Sequence, residues 1–114
     1  MKFLENEFLI PVFIGCDGEN NRVIREIYRK TGIRAHIFSE NFSFFQRLFY
    51  RCHTVRPWRE DFLKESLLAF ARDIDEHYCL VIVLCDEKSR TFIDRYSREI
   101  ECSFVVVDKN EILQ

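Results

Sequence analysis

The chain has 114 residues, enough for one domain and too few for two. Hydrophobic residues make up 47% and charged residues 32%, with only 3 Gly and 2 Pro, which excludes a disordered, collagen-like or low-complexity chain. The 17 Lys+Arg against 19 Asp+Glu leave a formal charge of -2, so general nucleic-acid binding, which needs a basic surplus to neutralise phosphates, is not expected.

The first apolar run, Pro11–Ile14, is short, unbroken and rich in branched or aromatic residues, the pattern of a strand buried on both faces. From Asn20 to Lys30, Val23, Ile24, Ile27 and Tyr28 share one face, which predicts a helix with Gly32 as its C-cap. Arg34–Phe38 reads as a second strand, Phe44–Phe49 as a short helix, and Cys52–Val55 as a weaker strand that Pro57 ends. Between Arg59 and His77 the residues Phe62, Leu63, Leu67, Phe70, Ala71 and Ile74 form a stripe with charges opposite, a second long helix. Leu80–Leu84 repeats the unbroken strand pattern. Glu87 to about Glu99 is helical, with Phe92, Ile93, Tyr96 and Ile100 on one side, and Phe104–Val107 is the fifth strand.

This alternation predicts one α/β domain over residues 1–114: three layers, α/β/α, around a mostly parallel, five-stranded, Rossmann-like sheet with right-handed crossovers. In such sheets ligands sit where loops leave the carboxyl ends of the strands. That rule singles out Gly15–Asn20 after the first strand and Cys85–Lys88 after the fourth.

The five cysteines, Cys16, Cys52, Cys79, Cys85 and Cys102, are odd in number and include no CxxC pair, so no zinc ribbon or thioredoxin-type redox pair is written here. Most adjoin apolar runs and read as reduced core thiols of a cytoplasmic protein. The N-terminal apolar run, Phe8–Ile14, contains Pro11 and is far too short to span a bilayer, so neither a signal peptide nor a membrane anchor is expected.

Several chemistries fail on spacing. The first loop reads G-x-x-G without the third glycine of a dinucleotide fingerprint, and Asp17 and Glu19 would repel phosphate; no G-K-[ST] occurs either. Gly15 and Gly18 can serve a tight turn with Asp17 or Asn20 capping the helix; alternatively the acids and amide face a polar substrate carrying an ammonium group. In the second loop Cys85 and Arg90 stand at C-x4-R, not the C-x5-R of a cysteine phosphatase, and Asp86 and Glu87 put negative charge where phosphate would sit. A phospho-receiver would explain an acidic first loop and Lys109, but Arg56, Pro57 and Trp58 occupy the place of its acceptor aspartate. The stretch Arg47–Arg59 holds arginines and aromatics without an acid. It suits single-stranded nucleic acid, an interdomain or anionic contact, or a plain surface with outward-reaching arginines. His36, His53 and His77 have no metal-ligand spacing.

The run Ile10-Pro-Val-Phe-Ile-Gly-Cys-Asp17, the helix ending Tyr28–Ile33, the Leu80–Glu87 strand with its cysteine- and acid-bearing loop, and the Phe104–Val107 strand occur in a specific order. In that order the chain resembles the N-terminal pre-ATP-grasp domain of ATP-grasp carboxylate–amine ligases, the D-aspartate ligase-like group in particular, over about residues 8 to 113. Asp108 to Leu113 looks like the short acidic helix that precedes the ATP-grasp domain in that family. Glu19 stands where the family usually has Asn, with Asn20 one place later, and Asp86 is extra beside the matching acid Glu87.

The resemblance implies that this is the substrate-side part of a longer ligase and is inactive alone. Such ligases use ATP and Mg2+ to convert a carboxylate to an acyl phosphate, which an amine then attacks. The nucleotide, the metal ions and most catalytic groups belong to the central and C-terminal domains of such ligases, and the C-terminal ATP-grasp domain is the expected partner, so no cofactor and no catalytic residue is assigned to this chain. Asp17, Glu19, Asn20, Asp86 and Glu87 are the expected contacts to the amino-acid or other carboxylate substrate. Asp17 and Glu87 can hold a substrate ammonium by charge-assisted hydrogen bonds, or cap helices through the dipole. Neither nucleic acid nor membrane is an expected partner; the alternative is a non-catalytic flavodoxin- or receiver-like interaction module.

Overall fold

A computed structural model describes residues 8–15 and 18–113. The elements run β1 (Leu9–Ile14), α1 (Gly18–Thr31), β2 (His36–Ser39), α2 (Phe44–Phe49), β3 (Arg51–Thr54), α3 (Glu60–Asp73), β4 (Cys79–Leu84), α4 (Glu87–Glu101), β5 (Val105–Asp108) and α5 (Lys109–Leu113). The strands form one five-stranded sheet in the order β3-β2-β1-β4-β5, and every neighbouring pair is parallel. Register is fixed by pairs such as Val12 with His36 and Val12 with Ile82 on either side of β1.

Alternate residues of the central strands feed two cores, because successive side chains of a strand point to opposite faces. On one face Val12, Ile14, Phe38, Leu80 and Ile82 pack under α3 and α4, whose Leu63, Leu67, Phe92, Ile93 and Ile100 are buried. On the other, Leu9, Phe13, Ile37, Val81 and Val83 meet Val23, Ile24 and Ile27 of α1 and Ile112 of α5. The fold is therefore a three-layer α/β/α sandwich on a Rossmann-like sheet. Burial of both faces is why the strands read as apolar runs without alternation.

The predicted boundaries hold to within a few residues, except that α3 ends at Asp73 and not at His77. Ile74 turns extended (φ -92, ψ 139) and packs into the core. Asp75 then accepts hydrogen bonds from His77 N (2.9 Å) and His77 Nδ1 (2.6 Å), a local bond that competes with another helical turn. Gly32 follows α1 at φ 73, and its N–H donates to the Tyr28 carbonyl (2.8 Å), the left-handed cap expected there. No helix among the described residues is long and apolar enough to cross a membrane.

Candidate functional site

The strand order reverses between β1 and β4: β1 leads to β2 on one side, β4 to β5 on the other. The loops leaving their carboxyl ends open on one edge, the switch point where doubly wound sheets hold ligands. Gly15 leaves β1 at φ 77, a left-handed turn that favours glycine, and its N–H donates to the Phe38 carbonyl (2.7 Å). Asp17 lies outside the described residues, as does the side chain of Glu19.

Asn20 is brought to this edge but is built into the scaffold. It is 1% exposed, and its Nδ2 donates to the carbonyls of Ile14 (3.0 Å) and Gly15 (3.1 Å), tying the first turn of α1 to the end of β1. Asp86 is likewise structural: it is the N-cap of α4, accepting from Ser89 N at 2.8 Å, with Ser89 Oγ reciprocating to Asp86 N at 3.3 Å. Glu87 differs. Its side chain is 87% exposed, and its neighbour Arg90, 3.9 Å away, makes two shorter bonds to Asp108 Oδ2 (3.2 and 3.1 Å). Those bonds span from α4 to the end of β5, so Arg90 serves a carboxylate and builds no phosphate cradle with Cys85. The Cys85 residue is 2% exposed, within the apolar cluster of the α1 face.

Beside the switch point, on the α3/α4 face, is a recess of about 250 Å³ lined by Ile14, Trp58, Glu60, Leu63, Lys88 and Phe92. Lys88 Nζ stands 4.3 Å from the centroid of the Trp58 ring, which offers it the ring's negative face. Glu60 bridges to Arg95 (2.6 Å) across α3 and α4. The recess thus combines an apolar floor, a cation and a carboxylate. Sequence reasoning missed Trp58, Glu60 and Lys88. Trp58 is grouped by sequence with the Arg-rich stretch, although it follows β3 on the same carboxyl edge, and Lys88 is the residue next to Glu87.

Two histidines meet toward the other end of the sheet. His36 Nδ1 and His53 Nε2 are 2.8 Å apart on paired strands, stacked beside Phe38 and Phe70. Burial lowers the pKa of His36 to about 4, with the charges of His53 and Arg51 acting in the same sense; burial also lowers that of His53. Among the described residues no group of three or more His, Cys, Asp or Glu side chains is placed to hold a metal ion. Compared with protein families, curated proteins and solved structures, the chain finds no match in any of the three.

Proposed function

We propose that this chain is the substrate-side domain of an ATP-dependent carboxylate–amine ligase of the ATP-grasp type, working in the cytoplasm and inactive without its nucleotide-binding partner domain. The observation that carries the reading is the carboxyl edge between β1 and β4, where an exposed acid, Glu87, stands beside a recess containing Lys88. Glu87 is able to turn to a substrate ammonium, since Arg90, the cation paired with it among the described residues, is held more closely by Asp108. Lys88 has no carboxylate partner among the described residues and can meet a substrate carboxylate over Trp58, with Ile14, Leu63 and Phe92 taking an apolar side chain. Asn20 and Asp86 act by positioning the two loops. ATP, bound by the partner domain with Mg2+, supplies the phosphoryl group that activates the carboxylate.

The test is an NMR titration of the chain. Millimolar amino-acid pools are expected to shift the Trp58 indole and the amides of Glu87 and Lys88, while ATP with Mg2+ shifts nothing. Micromolar ATP binding would overturn the split-site reading. In the polypeptide joined to its ATP-grasp domain, Glu87→Gln is expected to raise the KM for the amino acid about tenfold, the loss of one charge-assisted bond, and to spare that for ATP.

A second reading, a non-catalytic α/β interaction module, draws support from the exposed apolar surface of α2. The order β3-β2-β1-β4-β5 departs from the 2-1-3-4-5 order of flavodoxin and receiver sheets, so such a module would be of another type.

A further inference from the structure

Helix α2 is six residues long, carries Phe44, Phe45, Leu48 and Phe49, and buries none of its residues. Those four side chains belong to residues 71%, 70%, 51% and 62% exposed, and Tyr28 of α1, across the groove, is 56% exposed. At about 150–250 Å² per aromatic side chain the five present on the order of 600 Å² of mostly apolar surface, the upper end of what a monomer leaves in water. It approaches the roughly 800 Å² each partner contributes to a standard interface.

Short helices ordinarily form because they bury a stripe; α2 is held at its ends. Ser43 and Gln46 make a capping box, and the Arg34 guanidinium donates to the carbonyls of Leu48 and Phe49 at its last turn. The helix is thus set in place with its apolar residues outward. Two adjoining cavities of about 420 and 350 Å³ lie between α1 and α2 and share Arg25, Phe49 and Tyr50.

We propose that this groove docks an acidic segment of a partner protein, one that inserts leucine or aromatic anchors between α1 and α2. The charge decides the occupant. Arg25 lines both cavities and Arg34 the larger, and among the described residues no Asp or Glu lines either. Among the described residues Arg25, Arg34, Arg47 and Arg51 form no ion pair. A second copy of the chain is disfavoured, because two-fold pairing would face these arginines with themselves. Nucleic acid fits less well: Arg34 is turned onto backbone carbonyls, and the Phe44 and Phe45 rings meet edge to face (6.0 Å, 74°) instead of offering parallel platforms to bases. The groove also absorbs part of the Arg-rich, aromatic stretch that the switch-point site leaves unused.

Panning a random peptide library on the chain tests this, with each enriched peptide measured by fluorescence anisotropy. Enriched sequences are expected to pair acids with Leu, Phe or Trp and to bind with Kd of about 10 μM. Arg25→Glu and Phe45→Ser, both at exposed positions, should each weaken binding about tenfold with the circular dichroism spectrum unchanged. A peptide in which Lys replaces each acid should not bind. No enrichment, enrichment of basic peptides, or binding indifferent to both substitutions would overturn the proposal. So would equally tight binding of an oligo-dT strand, or a dimer in sedimentation that Phe45→Ser dissolves. None of these results depends on the ligase reading.

Discussion

Acidification probes the His36–His53 pair directly. In the folded chain the His36 pKa is lowered from 6.5 to about 4, because a half-buried imidazolium loses hydration and faces His53 and the Arg51 charge. The unfolded chain therefore takes up a proton near pH 6.5 that the folded chain refuses until near pH 4. Stability from this group is complete above pH 6.5, falls as pH drops toward 4, and changes no further below that. At 1.36 kcal/mol per decade, a fully enclosed group so displaced would be worth about 3 kcal/mol; water reaches this pair, so about 1–2 kcal/mol is expected. His53 is lowered for the same reason and adds in the same direction. The assay is urea unfolding from pH 7.5 to 4.5, comparing the wild type with the double substitution His36→Gln, His53→Gln, which keeps a donor and an acceptor on each strand without a titrating ring. The wild type should lose about 1–2 kcal/mol relative to the variant over that range. Parallel pH profiles, or a His36 ring titrating near 6.5 by NMR, would refute the argument. Carboxylates such as Asp75, whose pKa the His77 bonds lower, lose their contribution mainly below pH 4 and stay outside this window.

Other substitutions separate scaffold from rim. Asn20→Ala removes both bonds to the carbonyls of Ile14 and Gly15 at the end of β1 and should cost about 1–3 kcal/mol in urea unfolding, since the Ile14 carbonyl it leaves is buried and that of Gly15 partly so. Asp86→Ala should cost about 1 kcal/mol as a lost N-cap, whereas Glu87→Gln should stay within about 0.5 kcal/mol. An equal cost for the two would contradict the division between them. Leu67→Ala, in the middle of the α3 stripe and fully buried, should cost about 2–5 kcal/mol, visible as a shift in the unfolding midpoint without a change in slope.

The sheet was legible because its physics is local. Runs such as Leu80–Leu84 have no polar alternation, which only a strand covered on both faces tolerates, and the stripe Leu63, Leu67 carries helical period. The carboxyl edge followed from alternation alone. Individual roles were not legible, since the same aspartate suits a cap or a ligand until its neighbours are placed: Asp86 is claimed by Ser89 N, Asn20 by two carbonyls, and of the candidates among the described residues Glu87 is left outward. Trp58, in the loop before α3, and Lys88, in the first turn of α4, are remote in sequence, and their contact is one that no spacing rule encodes. The apolar pattern of α2 misleads in the opposite sense. Four large apolar residues in six ordinarily mean core, yet capping and Arg34 hold that helix without burial.

The state of the rim also limits what the domain can do by itself. Asp108 holds Arg90, Glu60 holds Arg95, and Lys88 rests over Trp58, so each of these charges is already partly satisfied when a ligand arrives. A substrate ammonium or carboxylate must displace such contacts, and the net gain per bond is then about 1 kcal/mol in so open a recess. Three or four bonds of that size amount to a Kd in the range of millimolar or weaker. Tight binding requires water to be excluded from the other side, because charge-assisted bonds strengthen as the local dielectric falls. Under the proposed reading a second domain closing over the β1/β4 edge would supply that exclusion, and the Glu87→Gln penalty should be larger in the joined polypeptide than in the chain alone. An equal penalty in both would mean that Glu87 remains in water throughout and contributes nothing to recognition.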